Sequence, residues 1–284
     1  MRLLSSFFIL LMVKVSVAAE LPRLSTSGEV PITLYVLDCG HLEARKPSLF
    51  NPLLQDDEPL QMVSPCFLVR HPEATLLWDT GLDDALAELP EGIEVMDGAF
   101  RFWVEKPLAA QLQELNIPPE SVDYLVFSHL HRDHTGNSSM FSQAQWLMQG
   151  REKAMAYSDQ ASAYGYHPDH YHQRPADKVT PVEGHVDVFG DGSVVILSTP
   201  GHTQGHQSLY IDLAETGPVV LSGDLYHFAL NREHYGIPVW NDKATTIQSF
   251  AFIDEVLAQT NAQLWIQHDS EEFAQHIKAP ESYR

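Results

Sequence analysis

The sequence predicts an α/β protein built as two strand–helix–strand halves, with sheets in the middle and helices on the outside. Three observations carry this. Short apolar runs rich in β-branched and aromatic residues recur at 122–127, 194–197, 219–221 and 263–266, as expected of buried strands. Two of these runs follow segments with helical spacing of apolar residues. Each run also ends in histidine or acidic residues, at the edge where open α/β sheets gather ligand sites.

Taken in order, residues 1–19 are expected to be a secretory signal peptide. Arg2 supplies the positive start, Leu3 to Val13 the apolar stretch and Ser16 to Ala19 the small-residue cleavage region. Lys14 interrupts the apolar run, and an uncleaved anchor is the alternative. Residues 20–284 are expected to form a single hydrolase-sized domain, secreted or periplasmic, with no stable membrane insertion. The formal charge of −21 disfavours nucleic acid as a partner and anionic substrates generally. A neutral small molecule suits it better, and the oligomeric state stays open between monomer and homodimer.

Strands are expected at Ile32–Leu37, Cys66–Arg70 and Ala74–Trp78, the last running into Asp79-Thr80-Gly81. Residues Gly40 to Val63 between the first two read as a long loop, whose Phe50, Leu53, Leu54 and Met62 either line a substrate entrance or anchor the loop. Cys39 and Cys66, the only cysteines, form either one disulfide or two buried thiols. A helix over Pro107–Leu115 presents Leu108, Leu112 and Leu115 inward and stops at Ile117-Pro118-Pro119. A second helix over Thr245–Leu257 should bury Ile247, Phe250, Ile253 and Val256 or Leu257. The Tyr-, His- and Pro-rich stretch Tyr157–His185 reads as a surface excursion flanking the site rather than another metal centre.

The chemistry concentrates after the strand Val122–Phe127, in Ser128-His129-Leu130-His131-Arg132-Asp133-His134. Alternate side chains of an extended segment share a face, so His129 and His131 aim at one point. Asp133 and His134, where the chain turns, aim at a second. Val194–Leu197 delivers His202 through the turn Pro200-Gly201, Val219–Leu221 delivers Asp224, and Gln263–Ile266 delivers His268. The count fits two divalent metal ions: His129, His131 and His202 on one, Asp133, His134 and His268 on the other, Asp224 bridging. Imidazole and carboxylate ligands without thiolate suit Zn²⁺, with Fe, Mn or Co as alternatives. Two such ions can share a hydroxide and polarise a carbonyl or phosphoryl oxygen, which makes a hydrolase centre.

From about Leu34 to Asp269 the chain resembles the metallo-β-lactamase-fold hydrolases. The resemblance rests on His129-x-His131-x-Asp133-His134, Gly201-His202-Thr203-x-Gly205-His206, Gly223-Asp224 and the late His268. It implies a four-layer αββα sandwich and a binuclear metal site, with Asp79 supporting the ligand loop. True β-lactamases do not normally place a bridging Asp where Asp224 stands. Glyoxalase II adds a long basic C-terminal region, whereas sixteen residues follow His268 here. Flavodiiron proteins carry Glu in place of His131. The chain is most similar to exported N-acyl-homoserine lactonases, which implies quorum quenching on a neutral lactone by a metal-bridging hydroxide. Asp133 would then pass a proton to the leaving alkoxide. Those lactonases place a substrate-contacting Tyr three residues after the bridging Asp, where this chain has His227. Tyr226 stands at the second place, so the oxyanion-stabilising group is Tyr226 or His227. An organophosphate or aryl-ester hydrolase is the alternative, and a β-lactamase-like amidase a weaker one.

Overall fold

The computed structural model describes residues 21–284, so the expected signal peptide at 1–19 lies outside the described residues. Thirteen strands and six α-helices follow in chain order. The first strands are β1 (Thr33–Ala44), β2 (Leu60–Arg70), β3 (Thr75–Trp78), β4 (Ile93–Val95) and β5 (Phe100–Trp103). Helix α1 (Leu108–Glu114) leads to β6 (Tyr124–Val126), and α2 (Arg132–Thr135) to β7 (Gln145–Gln149). Then come α3 (Gly150–Ala156), β8 (Thr180–Val182), β9 (Val186–Asp187), β10 (Val194–Ser198), β11 (Gln207–Ile211) and β12 (Val219–Leu221). The chain closes with α4 (Ala229–His234), α5 (Lys243–Thr260), β13 (Gln263–Trp265) and α6 (Ser270–Gln275).

The strands form an eight-stranded sheet ordered β4-β5-β1-β2-β3-β6-β7-β8 and a five-stranded sheet ordered β13-β12-β11-β10-β9. Period-two alternation divides each strand between two layers. In the first sheet Leu76, Trp78 and Val126 meet Ile196, Leu209 and Leu221 of the second across the central interface. Leu77 and Leu125 face outward onto Leu108 and Leu112 of α1. In the second sheet Val195, Leu197, Tyr210 and Val220 face Phe250, Ile253 and Val256 of α5. The order of layers is therefore helix, sheet, sheet, helix, as expected of the αββα sandwich. The parallel pairs β3·β6 and β12·β13 are each closed by a crossover helix, α1 and α5. Among the described residues no helix is long and apolar enough to cross a membrane.

Two expectations need correction. The predicted Gly40–Val63 loop is strand at both ends, because β1 runs on to Ala44 and β2 begins at Leu60, and only 45–59 connects them. A register shift between Asp38 and His41 disguises the continuation, and the extension is paired on both sides, with β2 and with β5. Ile247 is 47% exposed rather than inward. The buried stripe of α5 starts with Thr246 and Ser249, small residues that let the helix close on the turn carrying His202. Ser249 Oγ donates to the Pro200 carbonyl at 2.6 Å, and a Cβ on Gly201 would lie 2.3 Å from Thr246 Oγ1. The cysteine question resolves as a disulfide, Cys39 to Cys66 with Cα atoms 5.7 Å apart, joining β1 to β2.

These placements set an expected contrast along α5. Ile253→Ala removes a fully buried side chain and should cost about 2–5 kcal/mol. Ile247→Ala should change stability by less than about 0.5 kcal/mol. Urea unfolding of the two variants, monitored by circular dichroism, reads the difference.

Candidate metal centre

The site is assembled where strands of both sheets end. After β6, Ser128 and His129 are fully buried, and His131 begins α2 with extended backbone. His202 follows β10, Asp224 follows β12 and His268 follows β13, so the expected convergence of four strand ends is present. Gly223 has φ of +53°, and a Cβ there would lie 2.6 Å from His206 Nε2 and 2.9 Å from Ser128 Cβ. Only glycine lets β12 bring Asp224 this close to the His129 segment.

Two trios form. His202 Nε2 lies 3.1 Å from His129 Nε2 and 3.0 Å from His131 Nδ1, so all three aim at one point. Asp133, His134 and His268 make the second trio, with Asp133 Oδ2 3.8 Å from His134 Nε2 and 3.6 Å from His268 Nε2. Asp224 stands between them. Its Oδ2 is 3.3 Å from His202 Nε2 and 3.8 Å from His129 Nε2, while its Oδ1 is 3.2 Å from His134 Nε2 and 3.0 Å from His268 Nε2. One oxygen thus serves each trio, the arrangement a bridging carboxylate requires.

The donor set fits divalent cations by more than proximity. His134 Nε2 and Asp224 Oδ1 are buried 3.2 Å apart, yet neither makes a hydrogen bond. Buried polar atoms without partners are costly, and here both are aimed at a shared point that a cation would satisfy. The opposite ring nitrogens are all engaged. His134 Nδ1 meets Asp79 Oδ2 at 2.9 Å, His268 Nδ1 donates to the Val63 carbonyl at 2.6 Å and His131 Nε2 to the Tyr164 carbonyl at 3.0 Å. His202 Nδ1 lies 3.2 Å from Asn241 Oδ1, and His129 Nδ1 3.0 Å from Ser128 Oγ. Such partners fix each tautomer and ring plane, leaving one nitrogen lone pair for a metal.

Asp79, at φ +57° after β3, organises this support. It accepts from Ser128 N at 2.7 Å and Ser128 Oγ at 2.8 Å besides holding His134. Asn137, two residues past α2, donates to the carbonyls of Thr80 and Leu82, so the turn after the ligand motif is pinned to the Asp79 loop. Sequence reasoning missed Glu152. Buried on α3, it accepts from Leu130 N at 2.8 Å and Thr203 Oγ1 at 2.6 Å, tying the first ligand segment to the His202 turn. A lone Glu in a short helix carries no signal of this. Asn241 and the backbone carbonyls of Val63 and Tyr164 were equally silent, since their roles depend on tertiary neighbours.

The electrostatics agree with a cation site. Burial opposes a charge on Asp224, but His268, His134 and His129 outweigh it and hold the carboxyl well below the ordinary range. Burial likewise opposes protonation of His134, where Asp224, Asp133 and Asp79 prevail and raise it well above the usual histidine value. Burial keeps His129 and His202 well below that value, as neutral ligands should be.

The candidate substrate-facing pair separates. His227 is 2% exposed, with Nε2 3.3 Å from Asp224 Oδ2 and its ring beside His202 and His268. Tyr226 points the other way: its ring stacks on Phe250 of α5 at 4.5 Å, under the Arg232 guanidinium. Of the two alternatives left open by the sequence, Tyr226 thus lies on the helix side of the sheet and His227 on the side of the metal centre. The 157–185 stretch packs into the site's flank. Tyr171 and Tyr166 are buried, and His167 and His170 contact Arg132 and Thr135.

Replacing Asp224 with Asn should abolish most metal uptake at both trios, whereas Asp79→Asn should weaken affinity by about 10–100-fold. Competition against a chelating dye, followed by elemental analysis, measures both. A fully loaded Asp224→Asn protein would contradict the bridging position.

Comparison with known proteins agrees with this geometry. The metallo-beta-lactamase superfamily model matches residues 61–233. A protein named N-acyl homoserine lactonase AttM, from Azorhizobium caulinodans, is 29% identical over 268 residues, covering 89% of this chain and 98% of that one. One named N-acyl homoserine lactonase AiiA, from Bacillus thuringiensis subsp. kurstaki, is 26% identical over 84% of this chain and 94% of its own length. A solved N-acyl homoserine lactone hydrolase, with N-hexanoyl-L-homoserine at its catalytic metal centre, superposes with a TM-score of 0.78 at 25% identity, covering 90% of this chain and 99% of that one. With the family match spanning more than half its length and taking in Asp79, the 129–134 motif, His202 and Asp224, the chain belongs to the metallo-beta-lactamase superfamily.

Proposed function

We propose that this protein is a metal-dependent hydrolase that opens the lactone ring of N-acyl homoserine lactones, and so quenches signalling by these molecules. The observation that carries it is the division of Asp224's two oxygens between the His129–His131–His202 and Asp133–His134–His268 trios. The relatives named for lactonase activity and the product-bound neighbour support the substrate. An imidazole-and-carboxylate donor set without thiolate favours Zn²⁺.

Bound divalent cations supply Lewis acidity and bring the pKa of a coordinated water near neutrality. The chain's own groups do the rest. Asp133, whose side chain is 17% exposed while the other donors of its trio are sealed, is the carboxylate that can take the attacking water's proton and return it to the leaving alkoxide. His227, with Nε2 3.3 Å from Asp224 Oδ2 and a buried Nδ1 that has no partner, is the group we assign to the substrate carbonyl as it gains charge. The buried walls keep bulk water from weakening that interaction.

Export is also proposed. The apolar segment at 3–13 with its small-residue end supports it, as does the Cys39–Cys66 disulfide, a bond characteristic of oxidising compartments. Edman sequencing of protein recovered from the periplasm or medium should begin near Glu20. A cytoplasmic protein that retains residues 1–19 would count against export.

Assaying zinc-loaded protein on a lactone, a phosphotriester, an aryl ester and a β-lactam tests the reaction, with the acyl-homoserine lactone expected to lead. Phosphotriester or aryl-ester turnover well above lactone turnover would replace this assignment with the other ester hydrolase. His227→Gln should lower kcat by about 10²–10³-fold with metal content unchanged, as for loss of an oxyanion donor. Loss of metal in that variant would make His227 a ligand instead.

A further inference from the structure

We propose that Glu152 is a positioning residue of the His129–His131–His202 trio, the buried anion whose charge and hydrogen bonds set how tightly those three imidazoles hold an ion. This rests on the metal centre and not on the substrate assigned to it.

The two trios are unequal in charge. Asp133 gives the second a carboxylate of its own, whereas the first is three imidazoles that share only Asp224. Burial keeps His129 and His202 neutral. A divalent cation at the first trio would therefore meet less negative charge among its ligands than one at the second. Inside a protein such a deficit is costly, and a nearby buried anion offsets it.

Glu152 is placed to be that anion. It is fully buried on α3, and among the described residues it is the one buried glutamate. One oxygen accepts from Leu130 N at 2.8 Å, the residue between His129 and His131. The other accepts from Thr203 Oγ1 at 2.6 Å, the residue after His202. Every ligand of the first trio is thus next in sequence to a group this carboxylate holds. The Tyr166 hydroxyl and the Gly205 N–H face it as well. Tyr166 in turn packs on His131, with ring centroids 5.2 Å apart and a backbone bridge between the two residues. Gly205 lets the helix approach, since a Cβ there would lie 2.3 Å from Glu152 N. The second trio is braced elsewhere, by Asp79 on His134 and the Val63 carbonyl on His268.

Packing alone does not account for a charge at this position. Glutamate is almost never fully buried without a cationic partner. The groups facing Glu152 are neutral hydroxyls and backbone N–H groups, and burial pushes its carboxyl up against them. A glutamine could bond the same neighbours at a smaller desolvation cost. A divalent cation across the His129–His131 segment is the positive charge that would balance the carboxylate.

The test reads zinc occupancy at each trio separately, from anomalous difference maps of crystals equilibrated against a series of zinc buffers. Wild type is compared with Glu152→Gln, which keeps the side chain's length and removes its charge. Thr203→Val keeps the charge and removes one bond to it. Affinity at the first trio should fall about 10–100-fold in Glu152→Gln and by less in Thr203→Val, with the second trio within about threefold of wild type in both. Equal losses at the two trios, or no loss at the first, overturn the proposal. Should Glu152→Gln fail to fold, Thr203→Val decides by the same criterion. Wild type with no zinc at either trio overturns the metal centre and this proposal together. Wild type with zinc at both trios and no lactone hydrolysis overturns the proposed function alone, and the occupancies still decide the role of Glu152.

Discussion

The structure depends on one buried carboxylate. Asp224 is 3% exposed and is approached by the nitrogens of His129, His134, His202, His227 and His268. An isolated charge in such a place costs several kcal/mol or more, so the surrounding groups must compensate it. Without a cation the carboxylates draw protons onto His134 and His268 against the cost of burial, while burial keeps His129 and His202 neutral. Divalent cations, which these two trios and Asp224 would hold, would satisfy the carboxylate and let the imidazoles stay neutral. The polar centre of the molecule is thus a place where folding and metal binding are the same free energy.

Much of the remaining architecture serves to hold those nitrogens still. Strand β2 is the clearest case. Within four residues its Val63 carbonyl fixes His268, Ser64 Oγ donates to the Asp133 carbonyl, the Pro65 carbonyl accepts from Gln267, and Cys66 is bonded to Cys39. Cys39 in turn accepts Leu82 N through its carbonyl, beside the Thr80 that holds the His134 backbone. The disulfide therefore joins the supports of the second trio from two directions.

The strand ends were legible in the sequence because the signal there is local. An apolar run gives way to His or Asp within three residues, and this happens at Phe127, Leu221 and Ile266. The helix spacing of Leu108 and Leu112 was legible for the same reason. What stayed hidden is whatever depends on a distant partner. Glu152 and Asn241 look like ordinary surface residues until tertiary packing places them on Leu130 and His202. The β1 extension was hidden by its bulge, and β11 by opening with Gln207 and Ser208, polar residues that are buried because Gln207 binds the Phe127 carbonyl. Ile247 misled because hydrophobicity alone cannot say which side of α5 must stay small to seat against Gly201.

The opposite orientation of Tyr226 and His227 follows from geometry rather than residue type. Past β12 the chain makes one tight turn, Gly223–Leu225, and then extends. Leu225 and Tyr226 fall among the side chains under α5, and the third residue after Asp224 returns to the metal side. The offset from the carboxylate decides which side chain faces the metal centre and which packs under α5. Imidazole reaches less far than a phenol, and here its position is set by Asp224 on one side and by the edge-on Phe50 ring on the other.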